Sequence, residues 1–276
     1  MINISNVSYH YPSSKRNVIE SLNLALHPGR ICGLLGENGV GKTTLLGLMC
    51  GILRPSCGNV AIDGDEVFHR NADTLAKIFY VPDEFALPSI SLESYVKVNA
   101  PFYPNFSRQL LDDCLSTLDM PADIKRLDQL SLGQRKKVML SFAVASGTDI
   151  VLMDEPTNGL DIPSKSLFRK IIAKAMGDER LLVISTHQVH DVEQILDQIV
   201  IMDNTQVLLD KSVADLAELY TFDYVPHTEV PADTLYSEPT PAGMAIVRPK
   251  HPDDAETQLN LELLFNAAVK GKLISK

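Results

Sequence analysis

The chain has 276 residues, enough for one or two domains with a sizeable core, and 45% of them are hydrophobic. Its 35 acidic residues outnumber 25 basic ones, and the net charge of −10 disfavours general affinity for nucleic acid or anionic lipid. Cys32, Cys50, Cys57 and Cys114 stand apart without a C-x-x-C pair, so they read as reduced thiols rather than a disulfide framework or metal site. The start, Met1-Ile2-Asn3-Ile4, lacks the basic and apolar regions of a signal peptide. No apolar run approaches the roughly 18 residues that cross a bilayer. A cytoplasmic protein is expected, whose access to a membrane comes only through a partner.

In chain order, Ile2 to Tyr9 reads as a strand, followed by a Pro-Ser-Ser turn and a second strand from Leu22 to Leu26. An apolar strand, Ile31 to Leu35, precedes a glycine-rich loop and a helix from Thr44 to Cys50. Short strands follow at Gly58 to Ile62 and Lys77 to Val81. From Ser91 to Leu118 the pattern is helical, broken at Pro101 and Pro104. Ser131 can cap the next helix, with Gln134 at its third position. Strands at Ile150 to Met153, Leu181 to Ser185 and Ile199 to Met202 alternate with helices at Ser164 to Met176 and Val189 to Leu196. This alternation predicts a largely parallel α/β core. Past Tyr220 the composition changes: residues 221 to 252 are proline-rich, with one strand-like run from Met244 to Val247. Leu261, Leu264, Phe265 and Ala268 then mark one face of an amphipathic helix.

The most specific signal is Gly36-Glu37-Asn38-Gly39-Val40-Gly41-Lys42-Thr43-Thr44, which fits G-x-x-x-x-G-K-[ST] between a strand and a helix. Its glycines allow backbone N–H groups to turn toward a polyphosphate. Lys42 can reach the terminal phosphates, Thr43 can ligate Mg²⁺, and the helix N-terminus adds partial positive charge. Two further segments narrow the chemistry. The strand Ile150 to Met153 ends in Asp154, a carboxylate able to hold Mg²⁺ beside the phosphate loop, and Glu155 follows in position to orient or deprotonate water. Leu130-Ser131-Leu132-Gly133-Gln134 opens a helix about twenty residues before that strand.

With these segments in this order, the chain resembles the ATP-binding cassette (ABC) ATPases from Ile4 to Leu219. Leu130 to Gln134 is similar to the Leu-Ser-Gly-Gly-Gln signature of that family, through Ser131, Gly133 and Gln134. Asp154 looks like the Walker B aspartate and Glu155 like the catalytic glutamate. Asn158-Gly159-Leu160-Asp161 resembles the D-loop, His187 the switch histidine, and Tyr11 the aromatic that stacks on adenine. The resemblance implies a P-loop NTPase fold with a RecA-like parallel core, an N-terminal antiparallel β subdomain and a helical signature subdomain at about 84–145. The cassette spans 1–220 and a small α+β extension covers 221–276. It also implies ATP and Mg²⁺ as cofactors, with Thr43, Asp154 and Asp83 on the metal, and a second cassette paired head to tail. An integral-membrane permease, in an exporter of the ABC-2 type, would be the other partner. A soluble cassette ATPase in repair, ribosome control or cofactor assembly is the alternative. Two positions depart from the family: Leu132 replaces a glycine, and Asp83 stands where glutamine is usual, with Glu84 as the neighbouring oxygen donor.

Overall fold

The alternation of strands and helices resolves into three sheets in a computed structural model that describes residues 1–14 and 16–273. In chain order, β1 (Ile2–Tyr9), β2 (Ile19–Leu26) and β3 (Arg30–Leu35) lead into α1 (Lys42–Met49). Next come β4 (Cys57–Ile62), β5 (Asp65–Glu66), α2 (Ala72–Leu75) and β6 (Ile78–Val81). The helical stretch holds α3 (Leu92–Asn99), α4 (Arg108–Thr117) and α5 (Leu132–Ala145). Then β7 (Ile150–Asp154), α6 (Ile162–Ala175), β8 (Leu181–Thr186) and β9 (Gln198–Asp203) return to the core. The remaining elements are β10 (Gln206–Ser212), α7 (Val213–Leu219), β11 (Tyr220–Val225), β12 (Tyr236–Thr240), β13 (Gly243–Pro249) and α8 (Leu261–Val269).

The central sheet runs β10-β9-β3-β8-β7-β6, and every neighbouring pair is parallel except β10–β9. All residues of β7 and β8 are buried, as expected for parallel strands covered on both faces. Register fixes what meets at their carboxyl ends. Leu35 pairs with Thr186, and Asp154 pairs with Ser185. The phosphate loop, the Asp154-Glu155 pair and His187 therefore leave the sheet side by side, where ligands bind in open α/β folds.

On one side of this sheet, the antiparallel β2-β1-β4-β5 sheet packs with α1 around Ile2, Leu26, Leu45 and Met49. On the other, α3, α4 and α5 gather around Phe142, whose ring lies 5.1 to 6.2 Å from those of Phe106, Tyr95, Phe79 and Tyr103. The helical region breaks at Pro101 and Pro104 as the sequence predicts.

Two expectations are corrected. Residues 189 to 196 do not form an α-helix; Val189–Asp191 and Glu193–Ile195 are short 3₁₀ turns with i→i−3 bonds. Val189, Val192 and Ile195 recur every three residues, the period of a 3₁₀ helix rather than an α-helix. The proline-rich stretch after Tyr220 is also more ordered than its composition suggests. It supplies β11 and β12 on either side of β13, with Pro239 in an edge strand, where a missing N–H is tolerated. The predicted helical face from Leu261 to Ala268 is present in α8, which packs on β12 and β13, on β9 and β10, and on the turn at 189–191. Leu261 and Leu264 thereby join the same core as Ile184 and Leu196. Among the described residues no helix is long and apolar enough to cross a membrane.

Candidate functional site

The phosphate loop is shaped by contacts that only glycine permits. A Cβ on Gly36 would lie 2.6 Å from Val40 Cγ2 and 2.8 Å from the Met202 carbonyl oxygen. Gly41 precedes α1 with φ of +107°, a left-handed conformation that L side chains rarely adopt. The loop thus stays close to the sheet and presents its N–H groups at the start of α1. It opens on a cleft of about 320 Å³ lined by Tyr11, Val18, Asn38, Gly39, Gly41, Lys42, Thr43, Thr44, Asp83, Asp154 and Glu155. Ten of these eleven, all but Val18, are residues the sequence singles out for nucleotide, metal or catalytic roles.

Lys42 is buried, and its Nζ donates to the carbonyl oxygens of Gly36 at 2.7 Å and Glu37 at 3.2 Å. Burial lowers its pKa, against the opposing pull of Glu155 and Asp154. Thr43 Oγ1 donates to Asp154 Oδ2 at 2.6 Å, and the other carboxylate oxygen accepts from Ser185 Oγ. The Asp154 position is therefore fixed by hydroxyls from the first turn of α1 and the end of β8.

Glu155 is 8% exposed and has φ of +44°, a left-handed backbone that costs a non-glycine residue roughly 1–2 kcal/mol. Its N–H donates to the Ser185 carbonyl at 3.0 Å. Its carboxylate accepts from Thr186 Oγ1 at 3.1 Å and from both the backbone N–H and Nδ1 of His187, at 3.1 and 2.8 Å. An ionised carboxylate only accepts, so Nδ1 carries the hydrogen, and Nε2 can donate to a phosphate oxygen only as imidazolium. Lys42 Nζ lies 3.8 Å from the same carboxylate.

Tyr11 stands at the mouth of the cleft, 40% exposed, with its hydroxyl 2.9 Å from Thr44 Oγ1 and its ring edge-on to Tyr9. An exposed ring beside the phosphate loop suits stacking on a base. Asp83 also faces the cleft, while Glu84 is exposed outside its lining. Both bonds to Asp83 fall on Oδ1, from Lys136 Nζ at 2.9 Å and Asn158 Nδ2 at 3.4 Å.

The signature segment lies away from this cleft. Ser131 and Gln134 form the expected capping box on α5, with Gln134 N–H to Ser131 Oγ at 3.2 Å and Ser131 N–H to Gln134 Oε1 at 3.0 Å. Leu132 is the first helical residue and needs no positive φ, so the missing glycine is accommodated by the backbone. Gly133 sits against the Gly159 carbonyl, 3.2 Å from where a Cβ would stand. Asp161 caps α6 by accepting from the Ser164 N–H at 2.9 Å, and its bonds to Ser164 hold its carboxyl below the usual range. Gly133 is thus beside the segment that leads to Asp161, and none of Ser131, Gly133, Gln134 and Asp161 lines the cleft.

Three neighbours are given no role by the sequence: Ser185 and Thr186, which hold the two carboxylates, and Lys136, which holds Asp83 together with the D-loop residue Asn158. The two hydroxyls end an apolar strand, a signal that a carboxylate beside them could have revealed.

A family model described as "ABC transporter" matches residues 19–158. The ABC transporter ATP-binding protein NatA of Bacillus subtilis is 26% identical over 226 residues, covering 79% of this chain and 92% of that protein. A putative ABC transporter ATP-binding protein of Archaeoglobus fulgidus is 30% identical over 212 residues, covering 74% and 87%. Among solved structures, a dimeric ATP-binding cassette in a post-hydrolysis state with ADP and phosphate matches with a TM-score of 0.68 at 23% identity, over 77% of this chain and 99% of that one. The fold, the sheet-edge cluster and the family match agree: this chain belongs to the ABC transporter family, as one of its ATP-hydrolysing ATP-binding cassettes.

Proposed function

We propose that this cassette powers a multi-subunit membrane transporter of the ABC-2 exporter type, by closing head to tail on a second cassette around two ATP molecules. The observation that carries this reading is the separation of two half-sites. Lys42, Thr43, Asp154 and Glu155 share one cleft, whereas Ser131 at the α5 N-terminus is not in its lining and the next turn, at Gly133, lies beside Gly159. A capped helix N-terminus with N–H groups still to satisfy suits the γ-phosphate of an ATP held by another subunit. Neither half is complete alone, which ties hydrolysis to closure.

Within one site, the loop N–H groups and Lys42 bind the phosphates and Tyr11 stacks on adenine. Thr43 and Asp154, oxygen donors 2.6 Å apart at the cleft edge, fit a small hard cation that takes few protein ligands. Mg²⁺ held there supplies neutralisation of charge on the transferring phosphoryl group. Asp83, whose Oδ1 is engaged by Lys136 and Asn158, would contribute to holding the cation through Oδ2. Glu155, fixed by Thr186 and His187, orients the attacking water and accepts its proton, and His187 Nε2 donates to the γ-phosphate. Ser131, Gly133, Gln134 and Asp161 serve the ATP across the interface.

The relatives named as transporter ATP-binding proteins support a permease partner, and the chain would sit on the cytoplasmic face of a membrane through that subunit alone. The cassette would end near residue 220, with 221–276 as a docked extension. Affinity capture of the tagged chain from detergent-solubilised membranes tests the partner. A polytopic membrane protein recovered in defined stoichiometry is expected; a purely soluble complex would favour a non-transport role.

A further inference from the structure

Lys136 is the most deeply buried cation in the described part of the chain that no step above uses, at 2% exposure. Its ammonium donates to Asp83 Oδ1 and to the Glu155 carbonyl oxygen, each at 2.9 Å. The same carbonyl accepts from the Asn158 N–H at 3.1 Å, and Asn158 Nδ2 reaches Asp83 Oδ1. One lysine therefore joins three segments, α5 behind the signature, the loop after β6 and the Glu155 peptide, and Asn158 closes the ring between the last two.

We propose that Lys136 is a positioning residue for hydrolysis, tying the Glu155 backbone in its left-handed conformation to α5 and to Asp83. Glu155 carries a φ of +44°, which persists only where its surroundings over-determine it. The Ser185 carbonyl fixes the N–H side of that residue, and Lys136 with Asn158 fixes the carbonyl side. The Glu155 carboxylate direction follows from its backbone, so a shift in α5 is transmitted to the carboxylate through a single buried cation. Asp83 supplies the opposite charge that lets this cation sit there. The partly exposed Asp83 then links the loop ahead of α3 to the same peptide.

This inference rests on Glu155 handling the attacking water, so Glu155→Gln is measured beside it in the full-length chain. Lys136→Met keeps the buried volume and removes the charge and both bonds. Displacing a catalytic group by about 1 Å costs on the order of a hundredfold. Lys136→Met should therefore lower kcat for ATP by about 30-fold or more, while the dissociation constant for ATP changes less than about threefold and melting stays cooperative. Lys136→Gln keeps one donor for the Glu155 carbonyl, so kcat should fall to an intermediate value even if the methionine variant does not fold. In the melting midpoint of the nucleotide-free protein, Lys136→Gln combined with Asp83→Asn should lose less than the sum of the two single variants, because the two residues form one pair. Lys136→Met with kcat within threefold of the parent overturns the inference, as does parallel loss of kcat, ATP affinity and melting temperature. Additive melting losses in the double variant remove Asp83 from the linkage. If Glu155→Gln itself keeps full turnover, the Glu155 reading fails; if it is inactive and Lys136→Met is not, only the positioning role does.

Discussion

Glu155→Gln should separate nucleotide binding from hydrolysis, because the substitution keeps the shape of the side chain and removes its ability to take a proton. Gln Oε1 can still accept from the His187 N–H and Nδ1. Its amide can donate to Thr186 Oγ1, whose remaining lone pair already accepts from the Gln188 N–H at 2.9 Å. The local geometry is therefore preserved. General-base assistance contributes about 10²- to 10⁴-fold, so kcat should fall by that factor, or about 2.7–5.4 kcal/mol in the barrier at 1.36 kcal/mol per decade. The charge change has a second consequence. Lys42 is buried 3.8 Å from the Glu155 carboxylate, and that carboxylate and Asp154 are what oppose the burial penalty on the ammonium. With Glu155 neutralised, the nucleotide-free protein should melt at lower temperature, and saturating ATP should raise the midpoint more than in the parent. Phosphate release at saturating ATP and Mg²⁺, equilibrium ATP binding, thermal melting and light scattering check the four parts, the last through an ATP-dependent dimer. A kcat within tenfold of the parent refutes the role of Glu155, whatever the binding data show.

Lys42→Ala removes a charged donor that now caps the Gly36 and Glu37 carbonyls and is poised for phosphate. A hydrogen bond to a charged group is worth about 1.5–3 kcal/mol, so calorimetry should find ATP affinity weakened by roughly tenfold to a hundredfold; unchanged affinity would count against the phosphate-loop assignment. His190, at the turn against α8, gives a pH prediction. Burial opposes its charge, but Glu262 at 2.8 Å and Glu193 at 3.7 Å favour it, and the net pKa is raised; Asp223 faces the same cavity. A raised folded value adds stability that is complete below the ordinary value of about 6.5 and is lost as pH rises through the folded value. The melting midpoint should thus drop between pH 6 and pH 8 by more in the parent than in His190→Gln, and an equal drop in both removes the His190–Glu262 contact from the stability of the extension.

The phosphate loop is legible in sequence because its chemistry is local: nine consecutive residues carry the turn, the charge and the hydroxyl. Asp154 and Glu155 are legible because an apolar strand ending in two carboxylates has few other uses. What brings Thr43 to Asp154, 111 positions apart, is the β3-β8-β7 order, which no spacing along the chain states. The segment after Tyr220 is harder to read. Its strands are short and its prolines mask them, so the edge position of β12 explains Pro239 only once the sheet is known. At 189–196 the apolar residues are identified correctly, yet their period of three defeats an α-helical reading.

Lys136 is the instructive omission. Nothing local marks the middle residue of Arg135-Lys136-Lys137, since consecutive cations on a helix are usually solvated. Helical periodicity separates them: Lys136 shares a face with Met139, Leu140 and Ala143, all buried. A lysine heading an apolar stripe must find an anion at its tip, and the chain provides one 53 residues earlier in Asp83. Taken singly, Asp83 is the loss of a glutamine amide near the metal and Lys136 a surface charge. Taken as a pair, they are a buried tether whose other end is the Glu155 peptide. Leu132 fits the same account, because a helical φ at that position keeps α5 starting at Ser131 and so keeps Lys136 one turn further on, at the carbonyl it holds. The departures from the family pattern thus lie along one helix and the loop it grips.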